Sequence, residues 1–493
     1  MIGQNWRYWA PSGAITPGGP SIWHIGDWDQ RRTIAVITDG EQEDDSLTIE
    51  HLKRHIDDAG PGVYAIKVSD KGELLSVSTD FNDDATMCPH YPLLQELHPL
   101  DRSKTVMRSR LQELDRLGPN VDLVFYETHG LPDQGGQPKH CKVVFKYYFY
   151  FQFLRSRWDE MNIWMRLPPR PNVVPFDRLV IEELYGRQRV VGFTSLHVAG
   201  GTLDRIYENP SDTRIFKLKW LTQLCSLIDE LNFTCGMQHQ DVAPRNLLVD
   251  ETPDNIMLFD FNYSARIGGP LRGGYHIYWE DRNDVKGVVF TLYEIITRDD
   301  HFRTVPHWEQ NASSVLDMKH WVQHPDVKLD HLLAEYRAVL DGWLQTRKER
   351  GNVTVFTDAP QCINWPDLQE PSCYPDEDPS QQAADEEGQD SVAIHDQSNT
   401  LGEGPEAPEL DYSVERDVWD GDDPDNQEFE YAMDDIADPI PTSAPPEIPR
   451  WTVPGRDEWN ENRRVIEWER PAQAKIKEGT HVCADGRVVK LSN

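Results

Sequence analysis

Met237-Gln238-His239-Gln240-Asp241-Val242-Ala243-Pro244-Arg245-Asn246-Leu247-Leu248-Val249, followed by Ile256-Met257-Leu258-Phe259-Asp260-Phe261-Asn262, is the stretch on which the reading of the chain turns. Two short apolar runs, Leu247 to Val249 and Ile256 to Phe259, flank a polar break that includes Asp250, Glu251, Pro253, Asp254 and Asn255, the pattern of a β-hairpin. The carboxylates of Asp241 and Asp260 bracket that hairpin. Two acids and an amide held this close around a tight turn suit chemistry better than packing.

Phosphoryl transfer from ATP needs one carboxylate to take the proton of the acceptor hydroxyl, a second to hold magnesium against the phosphates, and an amide oxygen as a further ligand. Asp241, Asp260 and Asn246 supply that set. The His-x-Asp-x-x-x-x-Asn core and the Asp-Phe pair resemble the catalytic and metal-binding loops of the protein kinase superfamily, in the style of the divergent kinase-like proteins of filamentous fungi. The resemblance implies that Asp241 is the catalytic base, that Asn246 and Asp260 are magnesium ligands, and that Phe261 packs beside the metal site. Arg245 stands where tyrosine kinases also carry an arginine. The competing explanation, a surface loop with two unrelated aspartates, has to account for two separate motifs falling in the right order.

Upstream, Glu113 to Tyr126 reads as strand, turn, strand, the place of a kinase's phosphate-covering loop. A full Gly-x-Gly-x-x-Gly lets backbone amides approach phosphate because glycine has no Cβ; here Gly118 alone remains. Cys141 to Tyr147 alternates as a strand, and by the resemblance Lys146 would pair the α- and β-phosphates. Phe149 to Leu167 has helical character, and its Glu160 would form the ion pair with Lys146, although it lies one position early when counted back from Arg170-Pro171-Asn172-Val173-Val174. Val173 to Glu183 and Val190 to Val198 are two further strands, with Leu196 and Val198 expected to face adenine. Gly200-Gly201-Thr202-Leu203 is similar to the hinge exit of protein kinases.

Leu218, Leu221, Cys225, Ile228 and Leu231 recur at spacings of three and four, marking an amphipathic helix just before the catalytic-looking loop. Asp284 to Ile296 resembles the buried helix of the C-lobe whose aspartate braces that loop, and Ser314 to Val322 and His331 to Lys348 are expected as later helices. Three departures stand out. Gln240 replaces the arginine that reads a phosphorylated activation loop, Asn262 replaces the metal-loop glycine, and no Ala-Pro-Glu precedes Asp284.

The charge is uneven. The chain of 493 residues carries a formal −35, from 84 acidic against 49 basic residues, and residues 366 to 450 hold 26 acids with only Arg416 and Arg450, a net of −24. This segment has too little apolar content to repay its ordering entropy and is expected to be disordered. The acidity argues against direct binding of nucleic acid or an anionic membrane through overall charge. Seven cysteines without a C-x-x-C pair suit a reducing, intracellular setting, cytoplasmic or nuclear. Met1 to Pro20 lacks a charged start followed by an apolar run, so no cleaved signal peptide is expected, and no apolar run reaches the ~20 residues of a membrane helix.

The expected organisation is α+β: an N-terminal α+β extension over 1–98, a bilobal kinase-like domain over 99–365 with a small β-rich N-lobe and a helical C-lobe, the acidic segment 366–450, and a structured tail over 451–493. The function implied is an ATP- and Mg2+-dependent phosphotransferase acting on a protein hydroxyl. Two alternatives remain open, a pseudokinase acting as a binding or scaffold module and a small-molecule kinase of the aminoglycoside or choline kinase type. Gly200 to Leu203 and Asp284-x-x-Gly287 favour the protein kinase branch over the latter.

Overall fold

The computed structural model describes residues 2–368 and 466–490 apart from 81–82, 84–90, 98–103, 129–138, 151–153, 185, 210, 253 and 270–277. The described residues are mixed α+β. After one turn, α1 (Gln4–Arg7), the chain builds a five-stranded sheet in sequence order from β1 (Tyr8–Ile15), β2 (Ser21–Asp27), β3 (Arg32–Thr38), β4 (Ala65–Val68) and β5 (Leu74–Ser78). The helix α2 (Asp45–Lys53) makes the crossover that lets β3 and β4 run parallel. Asp44 begins it by accepting the Leu47 amide at 3.2 Å. The apolar faces of strands and helix meet at Ile25, Ile34, Val36, Leu52, Ile56 and Val68. Strands and a helix are thus both present in this region.

A second sheet of six strands follows: β6 (Thr105–Met107), β7 (Gln112–Gly118), β8 (Val121–Thr128), β9 (Lys139–Tyr147), and, after helix α3 (Leu154–Arg166), β10 (Phe176–Leu184) and β11 (Arg187–Leu196). Their spatial order is β6-β10-β11-β9-β8-β7, antiparallel except for β6 against β10. Lys146 lies opposite Val121 on one side and Phe193 on the other, so β9 is central and its lysine is fixed by both neighbours. The helix starts at Leu154, later than the Phe149 expected from sequence. Tyr147, Tyr148, Phe149 and Tyr150 are all fully buried, and a run packed on every side cannot present the one-sided stripe of a surface helix.

The helix-rich part contains α4 (Leu203–Glu208), α5 (Leu218–Phe233), the short strands β12 (Met237–Gln238), β13 (Leu247–Asp250), β14 (Asn255–Leu258) and β15 (Ala265–Arg266), then α6 (Asp284–Thr297), α7 (Ser313–Leu316) and α8 (Leu333–Arg350). β13 and β14 form the hairpin read from the sequence, while β12 pairs with β15. Leu221, Leu224, Ile228 and Leu231 of α5 pack into the same core as Val288, Val289 and Leu292 of α6. No side chain of its own caps α5; instead Asp330, far along the chain, accepts the Leu218 amide at 2.9 Å. The helix expected over Ser314 to Val322 shrinks to the single turn α7, since Trp321 folds back to donate its indole N–H to the Val315 carbonyl at 3.1 Å.

Residues 466–490 return to the second sheet. Trp468 stacks on Tyr147 at 5.2 Å between ring centroids and donates its indole N–H to Tyr91 Oη at 2.6 Å. The hairpin of β16 (Thr480–Val482) and β17 (Val488–Lys490) is joined to β7 through a bridge between Cys483 and Gln112. One buried cluster therefore holds Ile2 and Trp28 from the first residues, Phe145 and Tyr147 from β9, and Ile466 and Trp468 from the last. The expected acidic disorder lies outside the described residues except for 366–368, where the Pro366 carbonyl accepts the Trp158 indole N–H at 2.9 Å. No described helix is long and apolar enough to cross a membrane.

Candidate active site

The sheet and the helical part bring together the residues singled out in the sequence. Lys146, at the end of central strand β9, is buried, and its ammonium lies 2.6 Å from Glu160 Oε1 on α3 while also reaching Asp260. Glu160 is fully buried and its second oxygen accepts from Arg157 at 2.8 Å, one turn earlier on the same helix. A buried carboxylate between two cations is satisfied, as burial requires. Just before β10, Val174 N–H donates to the Leu258 carbonyl at 3.0 Å and ties this segment to β14.

The catalytic-looking loop is braced from behind. Asp284, the first residue of α6, accepts the backbone N–H of His239 at 2.9 Å and of Gln240 at 2.8 Å, and the Asn232 amide at 2.9 Å. Gln240 takes left-handed backbone, φ 63°, as does Asp260 at the same value, so each loop turns sharply where its acid must be presented. Gly287 lets α6 come close: a Cβ there would fall 2.7 Å from Val242 Cβ. His239 bonds the Phe259 carbonyl at 2.9 Å, tying the two loops together. Phe261 packs against Trp164 and His239, with ring centroids 5.4 and 5.0 Å away, so α3 rests on Phe261.

Asp241 is 5% exposed; Oδ1 accepts from Arg245 at 2.6 Å and Oδ2 from Asn246 Nδ2 at 2.5 Å. Burial pushes Asp241 up, but Arg245, His239 and Arg282 more than offset it and leave the carboxyl below its usual range. For Asp260 burial acts the same way, and Lys146 and Arg157 hold the group well below the ordinary carboxylate range. Both acids are therefore anionic at neutral pH. Asn246 is buried with its amide nitrogen spent on Asp241, and no hydrogen bond among the described residues engages its Oδ1. An anionic Asp260 and a free amide oxygen fit a hard, oxygen-seeking cation.

The remaining sequence candidates are less tightly gathered. Gly118 ends β7, in a hairpin closed by Pro119 and Asn120, and Asn120 supplies the left-handed residue with φ 55°. A Cβ at Gly118 would have nothing within 4 Å, so no close approach demands a glycine there. Leu196 is exposed at the end of β11, while Val198 is half-buried against the core. Gly200 has a structural reason, since a Cβ would sit 1.9 Å from the Val249 carbonyl oxygen of β13. Sequence reasoning missed Arg157, Trp164, Arg282 and His307; only Arg157, three residues before Glu160, carries a local signal, the i,i+3 charge pair.

A 102-residue stretch, 20% of the chain, is 30% identical to CBL-interacting protein kinase 15 of Oryza sativa subsp. japonica, and the same length at the same identity matches CBL-interacting protein kinase 14 of that plant. Over that stretch the chain is distantly similar to protein kinases. The match spans 22% of each rice kinase, and no family model matches the chain.

Proposed function

We propose that the chain is an ATP- and Mg2+-dependent phosphotransferase of bilobal protein kinase-like fold, with residues 99–365 as its catalytic domain and a protein hydroxyl as acceptor. The observation that carries it is the meeting of Lys146 with both Glu160 and Asp260, from three separate elements, beside the Asp241–Asn246 pair. The β10-β11-β9-β8-β7 order of the second sheet, followed by a largely helical part, supports the fold assignment.

In this proposal ATP supplies the phosphoryl group, and magnesium, held by Asp260 and Asn246, neutralises charge on the phosphates. Lys146, kept in place by Glu160, orients the α- and β-phosphates. Asp241 receives the acceptor hydroxyl and takes its proton, and its own orientation is set by Arg245 and Asn246. Leu196 and Val198 border the adenine. One observation favours a pseudokinase as second reading: the two-residue turn after Gly118 offers little backbone to cover phosphates.

Mg2+-ATP at a hundredfold over its dissociation constant should stabilise the fold by about 2.7 kcal/mol, several degrees of melting shift. The shift should survive Asp241→Asn and be largely lost in Asp260→Asn, whereas transfer to a protein acceptor should vanish in both. A wild-type shift without transfer to any acceptor supports the pseudokinase. No shift, with or without magnesium, removes nucleotide binding altogether.

A further inference from the structure

Beside the loop of Asp241 lie two buried cations, neither bonded to a carboxylate among the described residues. Arg282 closes the single turn Glu280–Arg282 and is 8% exposed; its guanidinium lies over the Tyr263 ring at 4.2 Å, and its Nη1 is buried with no hydrogen-bond partner. Lys286, 7% exposed and one turn further into α6, gives its ammonium to the His307 carbonyl at 2.6 Å. His307 Nδ1 is also buried and unpartnered. Of the nearby acids, Asp241 is engaged by Arg245 and Asn246 and Glu294 by Arg303, while the exposed Asp281 acts on Lys286 through space without a hydrogen bond among the described residues. A buried guanidinium nitrogen with no hydrogen-bonded acceptor is an unfavourable arrangement that stacking on Tyr263 does not satisfy.

The place of this charge is fixed relative to the catalytic-looking loop. Gln240 Oε1 accepts the Trp279 amide at 3.3 Å, and two residues after Arg282 the Asp284 carboxylate holds the amides of His239 and Gln240. Tyr263, under the guanidinium, follows Asp260 by three positions. The electrostatic consequences agree with this closeness: Arg282 helps to keep Asp241 low, and burial together with Arg282 and Lys286 drives His307 down to about 3.

We propose that Arg282 and Lys286 form an anion-recognition site for the acceptor, receiving an acidic side chain that flanks the hydroxyl presented to Asp241. The acceptor class is thus an acidic peptide segment bearing Ser, Thr or Tyr, an extension that rests on the phosphotransferase reading for the role of Asp241. A guanidinium and an ammonium a turn apart match a carboxylate or a phosphoserine, and select against a basic segment through like charge.

Binding of fluorescent serine peptides to the full chain tests this without requiring turnover. With Mg2+-ADP present, a peptide with Asp on both sides of the serine should bind at least about tenfold more tightly than its Asn counterpart, the value of one charge-assisted hydrogen bond. Arg282→Gln and Lys286→Met should each remove most of that preference while leaving the Asn peptide unchanged. Should Arg282→Gln fail to fold, Lys286→Met carries the test. Equal binding of the Asp and Asn peptides by the wild type, or a preference that survives both variants, overturns the site. Inorganic phosphate that binds more tightly than any peptide overturns the peptide class. Charge-selective binding without a Mg2+-ATP melting shift keeps the anion site and sinks the phosphotransferase, and a shift without selectivity does the reverse.

Discussion

Lys146 Nζ and Glu160 Oε1 lie 2.6 Å apart in a setting where the carboxylate has no solvent exposure at all. Deleting one partner of a buried pair leaves the other charged and unmatched, a loss of about 3–5 kcal/mol. Glu160→Gln strands Arg157 and leaves Lys146 with Asp260 alone, and is expected to fall at the lower end of that range by urea denaturation. The double variant Lys146→Met, Glu160→Leu should lose clearly less than the sum of the two singles. Additive losses would mean that the two charges are not coupled.

Arg470 makes the corresponding argument at the far end of the chain. Its Nη1 lies 2.7 Å from Glu113 and 2.6 Å from Asp122, with all three side chains buried. Arg470→Met is expected to cost about 3–5 kcal/mol. The ion pair of Arg487 with Asp485 has an exposed arginine, and Arg487→Ala should cost less than about 1 kcal/mol. Comparable losses from the two substitutions would contradict the burial seen at Arg470.

Gly287 is in contact with the loop that carries Asp241. Gly287→Ala places a methyl 2.7 Å from Val242 Cβ and 2.9 Å from its carbonyl oxygen, and overpacking of this kind costs about 1–3 kcal/mol. Because the displaced segment is next to Asp241, any phosphoryl transfer should fall by more than the loss of stability explains. Gly342→Ala, on α8 with open space around it, is the control and should be neutral or slightly stabilising.

The half-buried imidazole of His307 gives a pH test. Burial, Arg282 and Lys286 hold it neutral down to about 3, whereas in the unfolded chain it titrates near its ordinary value of about 6.5. The unfolded state therefore binds the extra proton first, so this contribution is fully present above about 6.5 and is lost as pH falls towards 3. Between pH 7 and 5 the wild type should lose about 2 kcal/mol more than His307→Gln. Identical pH dependence in the two proteins would place the imidazole in water.

Much of the site was legible because its residues lie in short local patterns. The β13–β14 hairpin, helix α5 and the strand carrying Lys146 show their pattern within a dozen residues, while α6 and Glu160 were singled out by the family resemblance alone. What was not legible depends on distance. β1 contains Pro11 and Gly13 and takes its register from β2, which follows Gly18-Gly19-Pro20 and takes its own from β3, and α5 is capped by Asp330, 112 positions away. Arg282 gave no signal either, since an arginine between acids looks solvated until the fold buries it against Tyr263.

The joining of the last residues to the hairpin of β7 and β8 has a consequence for synthesis. Glu113 and Asp122 are made hundreds of residues before Arg470, whose partner Asp122 is 348 positions away. Until Trp468 and Arg470 leave the ribosome, Glu113 has only Arg116, Asp122 only the more distant Arg31, and the ring of Tyr147 lacks Trp468, a state open to wrong partners. A premature stop anywhere in residues 369–465 would therefore release a protein with every proposed catalytic residue present and the β7–β8 hairpin unsecured, a lesion for quality control to recognise rather than a shortened enzyme.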